Sequence, residues 1–221
     1  LQLSAFGSLV FYLLALCILN LPALATRRVA ALLILLGGNL WVYGALWEGP
    51  TLPRLRLTVI DVGQGDASLI EFPDGKRILI DAGPRTPTFD CGASIVLPLL
   101  RRMGIRRLDA LVVTHAHSDH LGGVPAILRR MEVAEVIDAD PNAHSALYRE
   151  YLRVVDSLHI RRTVVKEGMM ISLSAAVRCY VLHPRPEKEV ETLNNQSVVL
   201  KLAYGRTAVL LAADAEWEAE R

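Results

Sequence analysis

The sequence predicts an α/β protein built on an antiparallel or mixed sheet, and three observations lead to that class. Between residues 55 and 83, short apolar runs follow one another through tight turns and not through helices, which is typical of antiparallel strands. Further β-branched apolar runs occur later in the chain, with segments of helical periodicity between them. A histidine-rich loop directly follows one of these later runs, at the position where α/β proteins usually carry their functional residues.

Turn and capping residues set the limits of the predicted elements. Gly75 supplies the positive φ that a hairpin turn needs, while Ser94 and Gly104 mark the start and the end of a helix. The predicted strands cover residues 55–62, 67–72, 77–83, 108–113, 133–139, 176–182, 197–202 and 207–212. The predicted helices cover residues 94–103, 124–131 and 145–158.

Composition divides the chain after residue 49. Residues 1–26 and 29–47 contain no charged side chain, and each run is long enough to cross a hydrocarbon core of about 30 Å. Residues 1–49 are therefore predicted to form two transmembrane helices. The chain opens inside an apolar segment without a methionine, so we expect it to be a piece of a longer membrane protein.

The short loop between these segments carries Arg27 and Arg28, which the positive-inside rule assigns to the cytoplasm. The domain that follows, residues 50–221, is then expected on the outer face of the membrane. It is long enough for one domain with its own core. The net charge of +1 gives no overall polybasic signal for nucleic acid, and the three cysteines form no metal-binding pattern.

The densest group of potential metal ligands lies in the loop 114–123, with the sequence THAHSDHLGG. Imidazoles and a carboxylate are ligands that suit Zn²⁺ or Mn²⁺. We expect His115 and His117 to reach one ion together, and Asp119 and His120 to serve a second ion beside it. The alternative is a polar surface loop, but three of the six histidines of the chain stand here beside a Gly-Gly turn.

The segment Ile60–Gly83 reads IDVGQGDASLIEFPDGKRILIDAG, and residues 194–200 and 211–216 continue the same pattern. Together with the THAHSDHLGG loop, it resembles the domain attached to bacterial competence proteins of the ComEC family of DNA-internalisation channels. The resemblance implies the metallo-β-lactamase fold, an αββα sandwich of two mixed sheets. It also implies that the two apolar helices are the end of a channel domain.

The resemblance assigns roles to several residues. It makes Asp214 the carboxylate that bridges two divalent ions, and it gives Asp81 the task of supporting the ligand loop. We expect Asp61, Gln64 and Asp66 to shape the turn beside the metals, with a purely structural role as the alternative. The metal ligands that it implies are His115, His117, Asp119, His120 and Asp214.

The sequence departs from the family pattern at three places. Most relatives have a histidine where this chain has Asn194 and Asn195, so the third ligand of the first ion is one of these two residues or His183. Ala213 replaces a glycine before Asp214. The last histidine motif of the family would lie beyond residue 221, so we expect this chain to stop short of one ligand of the second ion.

The resemblance implies a metal-dependent hydrolase, in which Asp119 orients the attacking water and accepts its proton. The expected substrate is DNA, specifically the phosphodiesters of the strand that is not imported, and the expected location is the bacterial inner membrane. The expected partners are DNA, the membrane, the rest of the same channel polypeptide and other competence proteins. One alternative is a membrane-tethered hydrolase of a small ester, thioester or lactone, and another is a non-catalytic domain that braces the channel.

Four arginine pairs raise a further question about DNA binding. They could follow a phosphate backbone, or they could belong to an ordinary solvated face, which the low net charge favours. The pairs are residues 101–102, 106–107, 129–130 and 161–162.

Overall fold

The computed structural model describes residues 24–46, 54–139, 145–185 and 192–217. The chain forms two compact units, residues 1–52 and 53–221, and each is described by itself. In the first unit, helix α1 spans Leu24–Leu46. Within the described residues, no helix combines the length and the apolar character needed to span a membrane. The first of the two predicted membrane helices lies largely outside the described residues, and the pair stays a prediction.

The second unit contains all the strands that the structure describes. They are β1 (Arg56–Val59), β2 (Ser68–Glu71), β3 (Arg77–Ile80), β4 (Arg107–Leu108), β5 (Ala110–Val112), β6 (Glu132–Val133), β7 (Glu135–Asp138), β8 (Arg161–Val164), β9 (Met170–Ile171), β10 (Arg178–His183), β11 (Val199–Tyr204) and β12 (Thr207–Leu211). Its helices are α2 (Leu97–Arg102), α3 (Ser118–Leu121), α4 (Val124–Arg130) and α5 (Ala146–Ser157). A π-helical turn, Gly92–Val96, leads into α2, and a 3₁₀ turn covers Asn194–Gln196.

The larger sheet is mixed and has the strand order β1-β2-β3-β5-β7-β8. Its first three strands pair antiparallel through short turns, as predicted, whereas β3, β5, β7 and β8 pair parallel. The second sheet, β12-β11-β10-β9, is antiparallel at every pair that the structure describes. A two-residue parallel pair of β4 and β6 lies outside both sheets. The mixed pairing expected of both sheets is therefore found in the larger one.

Apolar side chains alternate across the larger sheet and bury both of its faces. Leu79 and Leu111 belong to one core, which includes residues of α2, α4 and α5. Ile78 and Val112 belong to the other core, which joins this sheet to β10 and β11. The layers are thus helices, sheet and sheet. The second helical layer of the expected αββα sandwich is not found among the described residues.

Local hydrogen bonds explain where element limits differ from the predicted ones. The helix predicted to start at Ser94 begins about two residues earlier, because Asp90 Oδ1 accepts the N–H of Ala93 at 2.9 Å and caps it. The predicted strand 108–113 is divided at Asp109, whose Oδ2 accepts the N–H of Arg77 at 2.8 Å. Because β3 and β5 are parallel neighbours, the residues that follow both strands emerge at the same edge of the sheet.

Candidate metal centre

Asp81 is the first residue after β3, and its side chain contacts the ligand loop. Its φ of 55° lies in the left-handed region, which aspartate tolerates better than most side chains. Its N–H still pairs with the carbonyl of Val112 on the neighbouring strand at 2.9 Å. The carboxylate is 1% exposed, so it needs partners inside the protein.

Three hydrogen bonds from the ligand loop meet this carboxylate. The N–H of Thr114 donates to Asp81 Oδ1 at 2.9 Å, and the Thr114 hydroxyl donates to Oδ2 at 2.6 Å. His120 Nδ1 lies 3.0 Å from the same Oδ2. Because an ionised carboxylate can only accept, the proton of this pair is on Nδ1, and Nε2 of a neutral His120 keeps a free lone pair. Asp81 therefore supports the loop as predicted.

Thr114 passes the same constraint to His115. Its single hydroxyl proton is used on Asp81, so its oxygen accepts from His115 Nδ1 at 3.1 Å. The lone pair of His115 is then on Nε2, which lies 3.1 Å from Nδ1 of His117. Two nitrogens that bind one tetrahedral ion at about 2.0–2.1 Å are roughly 3.3 Å apart. The spacing of this pair therefore fits a shared divalent ion.

The second half of the site lies against the first. The rings of His115 and His120 have centroids 4.1 Å apart, and His120 Nε2 is 3.4 Å from Asp214 Oδ2. Ligand atoms of His115, His120 and Asp214 all lie within 4.8 Å of one another. Ala213, which replaces the expected glycine, adopts a φ of 49° that a glycine would take easily. The substitution thus leaves Asp214 facing His120, at the expense of backbone strain.

Asp119 lies in the first turn of α3 and is partly exposed beside this cluster. Its backbone carbonyl lies 3.4 Å from the N–H of Asp66, so the turn before β2 packs against it. The structure thus brings together the four predicted imidazole and carboxylate groups of His115, His117, His120 and Asp214, with Asp119 at their side. The role of each as a metal ligand stays a prediction.

The charges of the site favour a cation. Burial alone lowers the pKa of His120, but the hydrogen bond and charge of Asp81, with the charges of Asp214 and Asp119, raise it to about 9. Burial raises the pKa of Asp66; the charge of His120, whose Nδ1 is 4.0 Å from Asp66 Oδ2, opposes that rise, and the nearby carboxylates add to it. Burial lowers the pKa of His115 to about 3, and the charges of His120 and His117 act in the same direction. In the metal-free state His120 therefore holds a proton among crowded carboxylates, where a divalent ion would neutralise them better.

The turn formed by residues 61–66 packs directly on the ligand loop. Gly65 has a φ of 110°, and a Cβ added there would lie 2.1 Å from the carbonyl oxygen of Asp119. Only glycine allows this approach. Asp61 accepts the N–H of Gly63 at 3.2 Å and shapes the turn as predicted, whereas Gln64 is exposed.

The 3₁₀ turn carrying Asn194 and Asn195 lies near the ligand loop, because Val198 N–H donates to the Thr114 carbonyl at 2.8 Å. Asn195 Oδ1 is used by the N–H of Glu216, at 3.2 Å. In contrast, Asn194 Oδ1 is buried and has no hydrogen-bond partner among the described residues. An orphaned buried oxygen of this kind is available to an ion.

His183, the third candidate for the same position, is held elsewhere. It is buried, and its Nδ1 donates to the Ser197 carbonyl at 3.0 Å. It is absent from the cluster of potential ligands in the described part of the chain. The third ligand of the first ion stays a prediction; of the three candidates, Asn194 has a buried side-chain oxygen without a hydrogen-bond partner among the described residues.

Sequence reasoning missed two residues that organise the site. Thr114 links Asp81 to His115, and its only sequence signal is its position directly before the histidine. Glu216 accepts from Asn194 Nδ2 at 3.0 Å and so ties the 3₁₀ turn to the segment that carries Asp214. A carboxylate two residues after Asp214 is ordinary in sequence, so nothing there could have identified it.

Comparison with known proteins identifies related chains. ComE operon protein 3 of Bacillus subtilis is 27% identical over 226 residues, which cover 96% of this chain and 29% of that protein. Recombination protein 2 of Haemophilus influenzae is 28% identical over 204 residues, covering 92% of this chain and 24% of that protein. The chain therefore spans less than a third of the length of these relatives. The crystal structure of YhfI, a metallo-beta-lactamase fold protein from B. subtilis, matches 71% of this chain and 60% of its own with 14% identity and a TM-score of 0.46.

The predicted resemblance to ComEC-family proteins is confirmed by these two relatives. The model of the family described as "Metallo-beta-lactamase superfamily" matches residues 60–221. This family supports a metal-dependent hydrolase and implies divalent metal binding, which agrees with the paired imidazoles and the carboxylates around them. The chain belongs to the metallo-beta-lactamase superfamily.

Proposed function

We propose that this domain hydrolyses the phosphodiester bonds of DNA with two divalent ions, Zn²⁺ or Mn²⁺, as part of a membrane DNA-uptake protein. The observation that carries the proposal is the geometry of the ligand loop. His115 Nε2 and His117 Nδ1 lie 3.1 Å apart, and the His120–Asp214 pair lies directly beside them. The DNA substrate is supported by the resemblance to ComEC-family proteins.

The residues of the chain divide into two sets of ligands. His115, His117 and Asn194, whose Oδ1 is unpaired among the described residues, would hold one ion. Asp119 and His120 would hold the other, and Asp214 would serve both. When bound, a pair of ions supplies an acidified water and neutralises charge on a phosphoryl group.

The other roles belong to side chains alone. Asp119 is partly exposed, so it can contact a water at the mouth of the site, orient it and accept its proton. Thr114 accepts from His115 Nδ1, and Asp81 accepts from His120 Nδ1. Both neutral imidazoles therefore carry their proton on Nδ1 and leave Nε2 free to bind a ligand. Buried hydrogen bonds keep both rings oriented before any ligand arrives.

The cellular setting completes the proposal. The domain would lie on the outer face of the bacterial inner membrane, joined to a channel formed by the rest of the same polypeptide. It would degrade the strand that is not imported, with other competence proteins as partners. The Arg27–Arg28 pair and the ComEC-family relatives support this arrangement.

The experiment is a DNA cleavage assay with the full-length protein in detergent, in the presence of Mn²⁺ or Zn²⁺ and again with a chelator. Asp119→Asn should abolish cleavage while the circular dichroism spectrum stays unchanged, because the swap preserves size and removes the charge that orients water. Asp61→Asn is the matched control, since Asp61 lies in the neighbouring turn and its side chain caps only the Gly63 N–H. Wild-type rates in Asp119→Asn would contradict the assigned role. Absence of cleavage with brisk hydrolysis of a thioester or lactone would establish the small-molecule alternative.

A further inference from the structure

A second concave surface lies at the opposite edge of the larger sheet from the metal centre. It is a cleft of about 350 Å³ lined by Arg101, Ile105, Arg106, Arg130 and Met131. Its arginines stand at the ends of α2 and α4 and just before the β4–β6 pair, at the edge where β5 and β7 begin. The ligand loop, by contrast, follows the end of β5. Helix α4 separates the two places by seven residues, or roughly 10 Å of helix. We call this surface the arginine cleft.

Ion pairing separates the arginines of the cleft from most other members of the four arginine pairs. Four of those members are matched with carboxylates: Arg107 with Glu132, Arg129 with Glu150, Arg161 with Glu135 and Arg162 with Asp138. Arg101, Arg106 and Arg130 have no carboxylate within ion-pair distance in residues 54–139, 145–185 and 192–217. The cleft is therefore lined by three exposed arginines that have no carboxylate partner in the described part of the chain.

Helix electrostatics explain part of this arrangement but not all of it. Arg101 and Arg130 lie in the last turns of α2 and α4, where the helix dipole favours a positive charge. That effect acts on each helix separately and gives no reason for the two to converge. Arg106 belongs to neither helix, yet it lines the same cleft. Three converging like charges repel one another unless an anion lies between them.

The chemistry of the lining indicates the kind of anion. Planar guanidinium groups match phosphate oxygens through paired N–H donors. The apolar lining residues, Ile105 and Met131, are buried, and the charged groups among the lining residues are all cationic. A site for a lipid surface would combine basic residues with exposed apolar ones, and the exposed large apolar residues of this unit, such as Phe89 and Leu210, lie elsewhere in the sequence.

We propose that the arginine cleft binds phosphate groups of a nucleic-acid backbone. It would hold the strand at a second place, separate from the metal centre that cuts it. The identity of the polyanion as DNA rests on the proposed function. The cleft contributes charge without base contacts, so the binding is independent of sequence. An extended strand that contacts both places would be held across the length of α4.

The experiment measures binding of the full-length protein in detergent to fluorescently labelled single-stranded DNA by anisotropy, with a chelator present so that nothing is cut. The cleft variant replaces Arg101, Arg106 and Arg130 with glutamine. The control variant replaces Arg107, Arg129 and Arg161 with glutamine, which removes the same charge from arginines that already have carboxylate partners. Exposed pairs of this kind contribute little stability, and circular dichroism checks that both variants fold.

The cleft variant should bind DNA at least about tenfold more weakly than the control variant, because each lost phosphate contact removes its share of counterion release. The slope of log K against log[salt] should fall in magnitude by about 2, since three contacts each contribute roughly 0.7 for a single strand. Equal losses in both variants would overturn the proposal, because net charge alone would then explain them.

Two further outcomes would also overturn it. If binding to vesicles containing anionic lipid falls in the cleft variant while DNA binding is unchanged, the ligand is a membrane surface. If polyglutamate competes for the cleft as well as DNA does, the ligand is an acidic polypeptide. The proposed function fails separately, when DNA binds the cleft normally but the wild-type protein with metal cuts no DNA.

Discussion

Replacing Asp81 with asparagine tests how the metal centre is organised. The variant keeps the size of the side chain and tolerates the left-handed φ of 55°. It changes Oδ2 from an acceptor shared by the Thr114 hydroxyl and His120 Nδ1 into a donor, or it leaves the Thr114 N–H without its acceptor if the amide turns over. The first orientation of the amide leaves two buried donors without an acceptor, and the second leaves one.

The expected size follows from those lost contacts. A buried donor left without an acceptor costs roughly 1–3 kcal/mol, so two of them should lower the free energy of unfolding of the metal-free protein by about 3 kcal/mol. The freed Thr114 hydroxyl can rotate to donate to His115 Nδ1, which would move the His115 proton to Nε2, the atom that faces His117. Metal affinity should therefore fall by roughly 10–100-fold.

Urea denaturation with a chelator measures the first quantity, and competition with a chromogenic chelator measures the second. Asp90→Asn is the matched control: it removes the same charge, but asparagine caps the Ala93 N–H as well as aspartate does. If Asp81→Asn and Asp90→Asn have the same stability and the same metal affinity, the proposed network does not orient the histidines.

Three further predictions follow from the same geometry. The pKa of His120 is raised to about 9 from 6.5, so the stability that protonated His120 gives the metal-free protein should be complete below about pH 6.5 and lost by about pH 9. Metal affinity should rise over the same interval, about tenfold per pH unit above neutrality, because the ion displaces this proton. A metal affinity that calorimetry finds independent of pH would contradict this. Ala213→Gly should raise the free energy of unfolding by roughly 1 kcal/mol in urea denaturation, because it relieves a φ of 49°, and a loss of stability would refute the strain. Asn194→Ala should weaken metal binding and Asn194→His should strengthen it, whereas equal affinities in all three proteins would exclude Asn194 as a ligand.

The sequence predicted the parts of the fold and site that depend on local patterns. The hairpin strands before Gly83, helix α5 and the ligand loop were all recognisable because periodicity, turn residues and ligand spacing are local properties. The parallel strand β8 was missed, because its sequence RRTV is mostly polar. It forms an edge strand in which Arg162 pairs with the buried Asp138 of β7.

Contacts between distant segments account for most of what could not be predicted. The hydrogen bonds from the Thr114 hydroxyl to Asp81 and from the Glu216 N–H to Asn195 Oδ1 join segments that lie more than twenty residues apart. The sorting of the arginine pairs into neutralised and free members also depends on tertiary pairing. For Arg107, Arg129, Arg161 and Arg162 the interpretation as an ordinary charged surface fits the paired geometry, whereas phosphate binding by the arginine cleft stays a proposal.

The most direct test of a divalent metal centre in the ligand loop is the metal content of the purified full-length protein, measured by elemental analysis. The wild-type protein should hold about two ions of Zn²⁺ or Mn²⁺ per chain, since two ligand sets are available. The double variant His115→Ala, His117→Ala should retain about one, because both nitrogens that face the first ion are removed while His120 and Asp214 stay in place. An unchanged metal content in the double variant would contradict the assignment of the site.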